Sequence, residues 1–266
     1  MHFHLCYYHV NQGGKDMKIV FHDLFRSEYD YDPAAAAGRM DCIVDELEGT
    51  YEFAVPEPAT EKDILLVHSQ SHLEWVKNRG FLYDVAMLSA GGAIKAAEMA
   101  MRGDPAFALI RPPGHHASRD SSWGFCWFNN IAIAVEKLRR QKAVKKVLIV
   151  DTDLHFGDGT DNLFEDNSDV YYYHVYNIKG LGECLTVNSD CDLIAVSAGF
   201  DKHKEDWGLI YSTEDFTTMG SMISSHARKV CQGRFFAVLE GGYNHRVLGK
   251  NVRAMLEGFD QGNTAG

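Results

Sequence analysis

Short apolar runs alternate along this chain with stretches in which apolar residues recur every three or four positions. Residues 18–21, 107–110, 147–150, 170–173, 193–197 and 235–239 are compact, largely apolar or aromatic runs, the pattern of strands buried on both faces. Residues 90–101, 130–141, 214–232 and 247–259 carry the spacing of amphipathic helices. Gly103 with Pro105, and Gly233, fall where those helices should stop before the next strand. Strict alternation of the two patterns predicts an α/β fold with a mostly parallel central sheet flanked by helices on both faces. No Pro/Ser-rich linker and no internal repeat divides the chain, so residues 17–266 are expected to form a single domain. Met17 opens the first strand pattern, which leaves residues 1–16 as an N-terminal extension expected to lack fixed order. His2, His4, Cys6 and His9 within it match no zinc-ligand spacing.

Composition narrows the function classes. The 266 residues are 45% hydrophobic and 24% charged, ordinary values for a folded globular protein. Lys and Arg number 26 against 37 Asp and Glu, a net charge of −11 that repels phosphate backbones and excludes nucleic acid as the expected partner. No apolar run reaches the roughly 20 residues that span a bilayer, so no membrane partner is expected. The six cysteines form no C-x-x-C pair, the usage of reduced thiols, and with no secretion signal at Met1 the expected location is the cytoplasm.

In open α/β sheets, ligands bind beyond the carboxyl ends of the strands. Four predicted strands run into residues that carry chemistry: Arg111-Pro-Pro-Gly-His115-His116, Asp151-Thr-Asp153-Leu-His155-Phe-Gly157-Asp158, Ala198-Gly-Phe-Asp201 and Glu240-Gly241-Gly242-Tyr243-Asn244. Asp153 and His155, two apart past a strand end, can point the same way, and Asp201 from a neighbouring strand completes three oxygen and nitrogen ligands. Three protein ligands with a fourth position left to water are the mark of a catalytic zinc site. The plainer alternative is that Asp153 and Asp201 cap loops. His115 and His116 suit proton transfer near neutral pH, with Asp151 and Asp158 available to fix their tautomers. Tyr243 can donate a hydrogen bond to an oxyanion, while Gly241 and Gly242 let backbone approach a substrate.

These motifs, together with G-F-C-x-F-N-N at 124–130, resemble the zinc-dependent histone deacetylase family, which includes bacterial and archaeal deacetylase-like proteins and acetylpolyamine amidohydrolases. The resemblance runs from about Met17 to Phe259 and implies the arginase/deacetylase α/β fold. By position it implies Asp153, His155 and Asp201 as ligands of Zn2+ or Fe2+. It implies His116, backed by Asp158, as the general base and His115, backed by Asp151, as its electrostatic partner. Tyr243 would hold the oxyanion, and Gly124 and Phe125 would line an acyl-lysine channel. The substrate would be an acylated amine, either a peptide lysine or a small molecule such as an acetylated polyamine.

Three departures from the family pattern stand out. Phe156 replaces a second histidine after His155. The interval from Asp153 to Asp201 is short, with no counterpart between His174 and Asp192 of a glycine-rich channel wall, so the channel is expected to be shallow or one-sided unless a homo-oligomer partner completes it. The family's monovalent cation, such as K+, near 151–155 uses a serine hydroxyl, and the stretch here is Tyr171-Tyr172-Tyr173-His174. Two other readings remain open: a non-catalytic acyl-lysine or metal-binding module, and an arginase-like ureohydrolase with two metals. Among weaker signals, His68 and His72 are expected to share a solvated or rim face of one helix, Trp123 to sit at the pocket mouth or in simple packing, and Cys126 to be inert filling.

Overall fold

A computed structural model describes residues 17–264; the expected extension at 1–16, with its histidines, lies outside the described residues. Seven strands form one sheet: β1 (Lys18–Val20), β2 (Glu52–Ala54), β3 (Ala106–Ala108), β4 (Val147–Asp151), β5 (Val170–His174), β6 (Leu193–Ala198) and β7 (Phe235–Leu239). Their order across the sheet is β2-β1-β3-β7-β6-β4-β5, and every neighbouring pair is parallel. Every residue of β3, β4, β6 and β7 is buried, so both faces of the sheet centre are covered, as parallel sheets require.

The helices are α1 (Asp41–Leu47), α2 (Glu61–Ile64), α3 (Gln70–Lys77), α4 (Phe81–Met101), α5 (Asn130–Arg140), α6 (Asp158–Phe164), α7 (Ile178–Val187), α8 (Thr213–Cys231) and α9 (His245–Thr264). Two short 3-10 turns lie between β1 and α1. The Asn129 side chain accepts from Ala132 N–H to open α5, and Ser212 with Asp215 forms a capping box on α8. Helix α4 begins well before the predicted residue 90. Its N-cap is Gly80, which offers no capping side chain, and most of the helix is buried, so neither a start signal nor a polar stripe marked it. Strand β2 escaped the apolar pattern because it is a three-residue edge strand, exposed or half-buried throughout. None of the helices among the described residues is long and apolar enough to cross a membrane.

The four strands followed by chemistry-bearing loops, β3, β7, β6 and β4, are consecutive in the sheet. Register puts their ends at one level: Ala108 pairs with Val238, Ala198 with Leu239 and Ser197 with Asp151. Their loops therefore rise from the same rim.

Candidate active site

Beyond β4 and β6, candidate ligand atoms of Asp153, His155 and Asp201 come within 4.8 Å of one another. His155 Nδ1 lies 3.2 Å from Asp153 Oδ1 and 3.2 Å from Asp201 Oδ2. Each carboxylate is held by its other contacts. Asp153 Oδ2 accepts the Gly241 N–H at 2.8 Å, and Asp201 Oδ1 accepts the Leu154 N–H at 2.8 Å. Asp201 Oδ2 is buried and accepts no hydrogen bond. The two carboxylates draw His155 toward its charged form, with a pKa raised to about 10 by its contacts with Asp153 and Asp201. Burial and the charge of Asp153 push Asp201 up to about 6. Two buried carboxylates and an imidazole aimed at one point, with an orphaned carboxylate oxygen, fit a divalent cation, and the mixed O/N donor set suits Zn2+ or Fe2+. Gly241 cannot carry a side chain here, because a Cβ would come 2.5 Å from Asp153 Oδ2 and 2.9 Å from Asp201 Oδ2.

The β3 loop brings the histidine pair alongside. His115 Nδ1 donates to Asp151 Oδ2 at 3.0 Å, and its Nε2 lies 3.8 Å from Asp153 Oδ1. His116 Nδ1 donates to Asp158 Oδ1 at 2.6 Å, which leaves its Nε2 as the unprotonated nitrogen. Burial opposes the charged form of both rings. At His115 the charges of Asp151 and Asp153 outweigh it and hold the pKa well above the ordinary histidine value. At His116 burial and the neighbouring His115 charge prevail over Asp158 and hold the pKa below it. The adjacent imidazoles are thus driven apart, one toward imidazolium and one toward free base.

A cavity of about 130 Å³ opens onto these groups. Trp123, Phe125, Trp207 and Tyr243 are among the side chains that line it. Gly124 and Phe125 both have positive φ, 60° and 66°, and a Cβ on Gly124 would come 2.5 Å from His116 Cδ2. This bend turns the Phe125 ring edge-on to Tyr243, 5.9 Å between centroids. Tyr243 is stacked on Trp207 at 4.0 Å, and its N–H donates to Asp206 Oδ2 at 2.8 Å. Burial and the charge of Asp153 hold its phenol well above the ordinary tyrosine pKa, so it stays a hydrogen-bond donor. Gly242 faces Leu248 and Phe200 and gives its carbonyl to Arg39 Nε at 2.9 Å.

Several supporting residues escaped the sequence reading. Trp207 lines the cavity and stacks on Tyr243 at 4.0 Å. Trp123, expected at the pocket mouth or in simple packing, lines the cavity 3.9 Å from the His116 ring, and the contact that escaped is its indole N–H to Asp158 Oδ2 at 2.9 Å. Buried Glu240 accepts the Gly114 N–H at 2.8 Å and the Ser197 hydroxyl at 3.0 Å, tying β7 to the histidine loop. The Tyr172 hydroxyl donates to Asp151 Oδ2 at 2.9 Å. No spacing pattern marks these residues; only the sheet order makes them neighbours. Phe156 is 43% exposed and meets Tyr172 edge-on at 5.5 Å.

Cys126 is buried beneath the His116 backbone, with its thiol pKa raised well above the ordinary value by burial, as expected of inert filling. The expectation for His68 and His72 is corrected: His68 precedes α3, both side chains are buried, and their rings stack at 4.8 Å. Each satisfies backbone groups of the 118–129 loop, which no helical spacing could reveal.

Comparison with known proteins agrees with this geometry. The sequence profile of the histone deacetylase domain matches residues 34–181 and 187–259. A probable deacetylase of Methanothermobacter thermautotrophicus is 33% identical over 84% of this chain and 85% of its own. A probable deacetylase of Archaeoglobus fulgidus is 30% identical over 91% of this chain and 86% of its own. The crystal structure of the HDA15 HD domain superposes with a TM-score of 0.79 at 24% identity, covering 90% of this chain and 87% of that one, and so shares the fold. The chain has the arginase/deacetylase fold, and its sequence shows that it belongs to the histone deacetylase family.

Proposed function

We propose that this chain is a metal-dependent amidohydrolase that removes an acetyl or related acyl group from an amine. One observation carries the reading: the Asp153, His155 and Asp201 ligand atoms converge within 4.8 Å of one another on the rim that also holds the His116–Asp158 pair. Asp153, His155 and Asp201 would hold a divalent ion, which would supply a Lewis acid and a water of lowered pKa. His116, kept as free base with its Nδ1–H on Asp158, takes the proton of the attacking water through Nε2. It then returns that proton to the amine as the C–N bond breaks. His115, oriented by Asp151, adds positive charge beside the reacting carbonyl. The Tyr243 phenol donates a hydrogen bond to the amide oxygen as negative charge builds there. Phe125 and Trp207 flank the alkyl stem of the substrate, whether a peptide lysine or an acetylated polyamine.

The test incubates Zn2+- or Fe2+-loaded protein with acetyl-lysine peptides and acetylated polyamines side by side and measures released amine. Hydrolysis that chelator abolishes and metal restores is the expected result. Hydrolysis of neither substrate, with one metal ion bound per chain, would assign the chain as a binding module. Two ions per chain would point to ureohydrolase chemistry.

A further inference from the structure

Lys202, directly after Asp201, is 3% exposed. Its Nζ donates to the Val175 carbonyl and, at 3.3 Å, to His174 Nε2. Val175 in turn donates its N–H to the Asp151 carbonyl at 2.8 Å, so the ammonium grips the backbone that leaves β5 beside the 151–155 loop. The lysine is itself pinned, since its carbonyl accepts from Ile210 N–H at 3.0 Å and Tyr211 N–H at 2.8 Å. Among the described residues no carboxylate lies within 4.0 Å of Nζ. This buried ammonium therefore has no direct ion-pair partner, an arrangement too costly to persist unless a nearby field repays it. Asp151, Asp153 and Asp201, all essentially buried, provide that field. Its acceptors, one carbonyl and one imidazole nitrogen, are neutral groups of the kind that bind a simple cation.

We propose that Lys202 is a positioning residue of this centre: its ammonium is a built-in monovalent cation that ties the segment carrying Asp201 to the end of β5, where Val175 is bonded to Asp151, and so sets Asp153 and His155 for metal binding. The proposal rests on reading Asp153, His155 and Asp201 as metal ligands. It assigns to a covalently held charge the task that a diffusible K+ would otherwise perform at this loop.

The test measures Zn2+ affinity by chelator competition, with thermal melting alongside, for the wild type, Lys202→Met, Lys202→Ala and Lys202→Arg. Each is assayed in tetramethylammonium chloride and again in potassium or ammonium chloride at equal ionic strength. Wild-type affinity should be the same in all three salts. Lys202→Met should bind Zn2+ about ten- to a hundredfold more weakly in tetramethylammonium chloride, the usual loss when a group orienting a ligand is removed. The variant Lys202→Ala, which vacates the space, should be weakened likewise, and ammonium or potassium should restore much of its loss, while Lys202→Arg should keep more affinity than Lys202→Met. Undiminished affinity of Lys202→Met in tetramethylammonium, or a loss in Lys202→Ala that no small cation relieves, overturns the proposal. If neither variant folds, the wild type still decides, because a requirement for potassium there overturns the built-in cation. Zn2+ binding without hydrolysis would sink the amidohydrolase reading alone, whereas absence of Zn2+ binding in the wild type would sink both.

Discussion

His116 Nδ1 lies 2.6 Å from Asp158 Oδ1, and the second oxygen of the same carboxylate takes the Trp123 indole N–H at 2.9 Å. One carboxylate at the start of α6 thus fixes both the tautomer of a histidine and the aromatic wall in front of it. His116→Ala should fold and bind metal yet lose about 10²–10⁴-fold in kcat, the usual contribution of a positioned general base. Asp158→Asn should lose less and change the pH profile. Asp158 raises the His116 pKa against the effect of burial, so its removal should move the acid limb of kcat/KM to lower pH. Turnover by His116→Ala within a few-fold of wild type would remove His116 from the base role.

Tyr243→Phe keeps the ring that stacks on Trp207 at 4.0 Å and deletes only the donor. KM should hardly move while kcat falls about 10²–10³-fold, the scale of one lost oxyanion donor. A KM effect with kcat preserved would recast Tyr243 as a substrate-packing residue.

Gly241→Ala tests how tightly backbone approaches the candidate ligands. Its new Cβ would sit 2.5 Å from Asp153 Oδ2 and 2.9 Å from Asp201 Oδ2, so one carboxylate must turn away. Bound Zn2+ per chain, read by elemental analysis after dialysis, should fall well below one, whereas Gly182→Ala, whose Cβ would meet only the flexible tip of Met222 at 3.2 Å, should leave it unchanged. Full occupancy in Gly241→Ala would place the metal elsewhere.

His68 predicts an acid weakness unrelated to catalysis. Its Nδ1–H donates to the Ser118 carbonyl at 2.9 Å and its Nε2 accepts the Asn129 N–H at 2.9 Å, a neutral tautomer that cannot gain a proton without losing a bond. Burial, then the His72 ring, lowers its pKa from 6.5 to about 3. The folded pKa is thus the lower one, so stability is complete above about pH 6.5 and falls as pH drops toward 3, where the unfolded chain takes up the proton. The full effect is a few kcal/mol, at about 1.4 kcal/mol per pKa unit. Urea denaturation between pH 7.5 and 4 should show a shallower loss for His68→Gln than for wild type, though His68→Gln starts lower. Parallel curves would show that His68 does not carry the acid response.

Periodicity and spacing by themselves determined much of this protein. The apolar runs at 147–150, 193–197 and 235–239 became β4, β6 and β7, because strands buried on both faces must be continuously apolar. Loops that follow such strands meet at one rim, and so Asp153, His155, Asp201, His115, His116 and Tyr243 were legible as a group. What only the tertiary structure decided is everything set by strand order and by contacts between distant segments. Trp207 lines the pocket, Glu240 braces the histidine loop, Lys202 reaches across to Val175, and His68 is buried against Ser118 and Asn129. Each of these roles depends on a partner far away in the chain. A one-dimensional pattern records the period of an element but not which strand lies beside it, and that adjacency is what turns an ordinary Trp, Glu, Lys or His into part of a site or its scaffold.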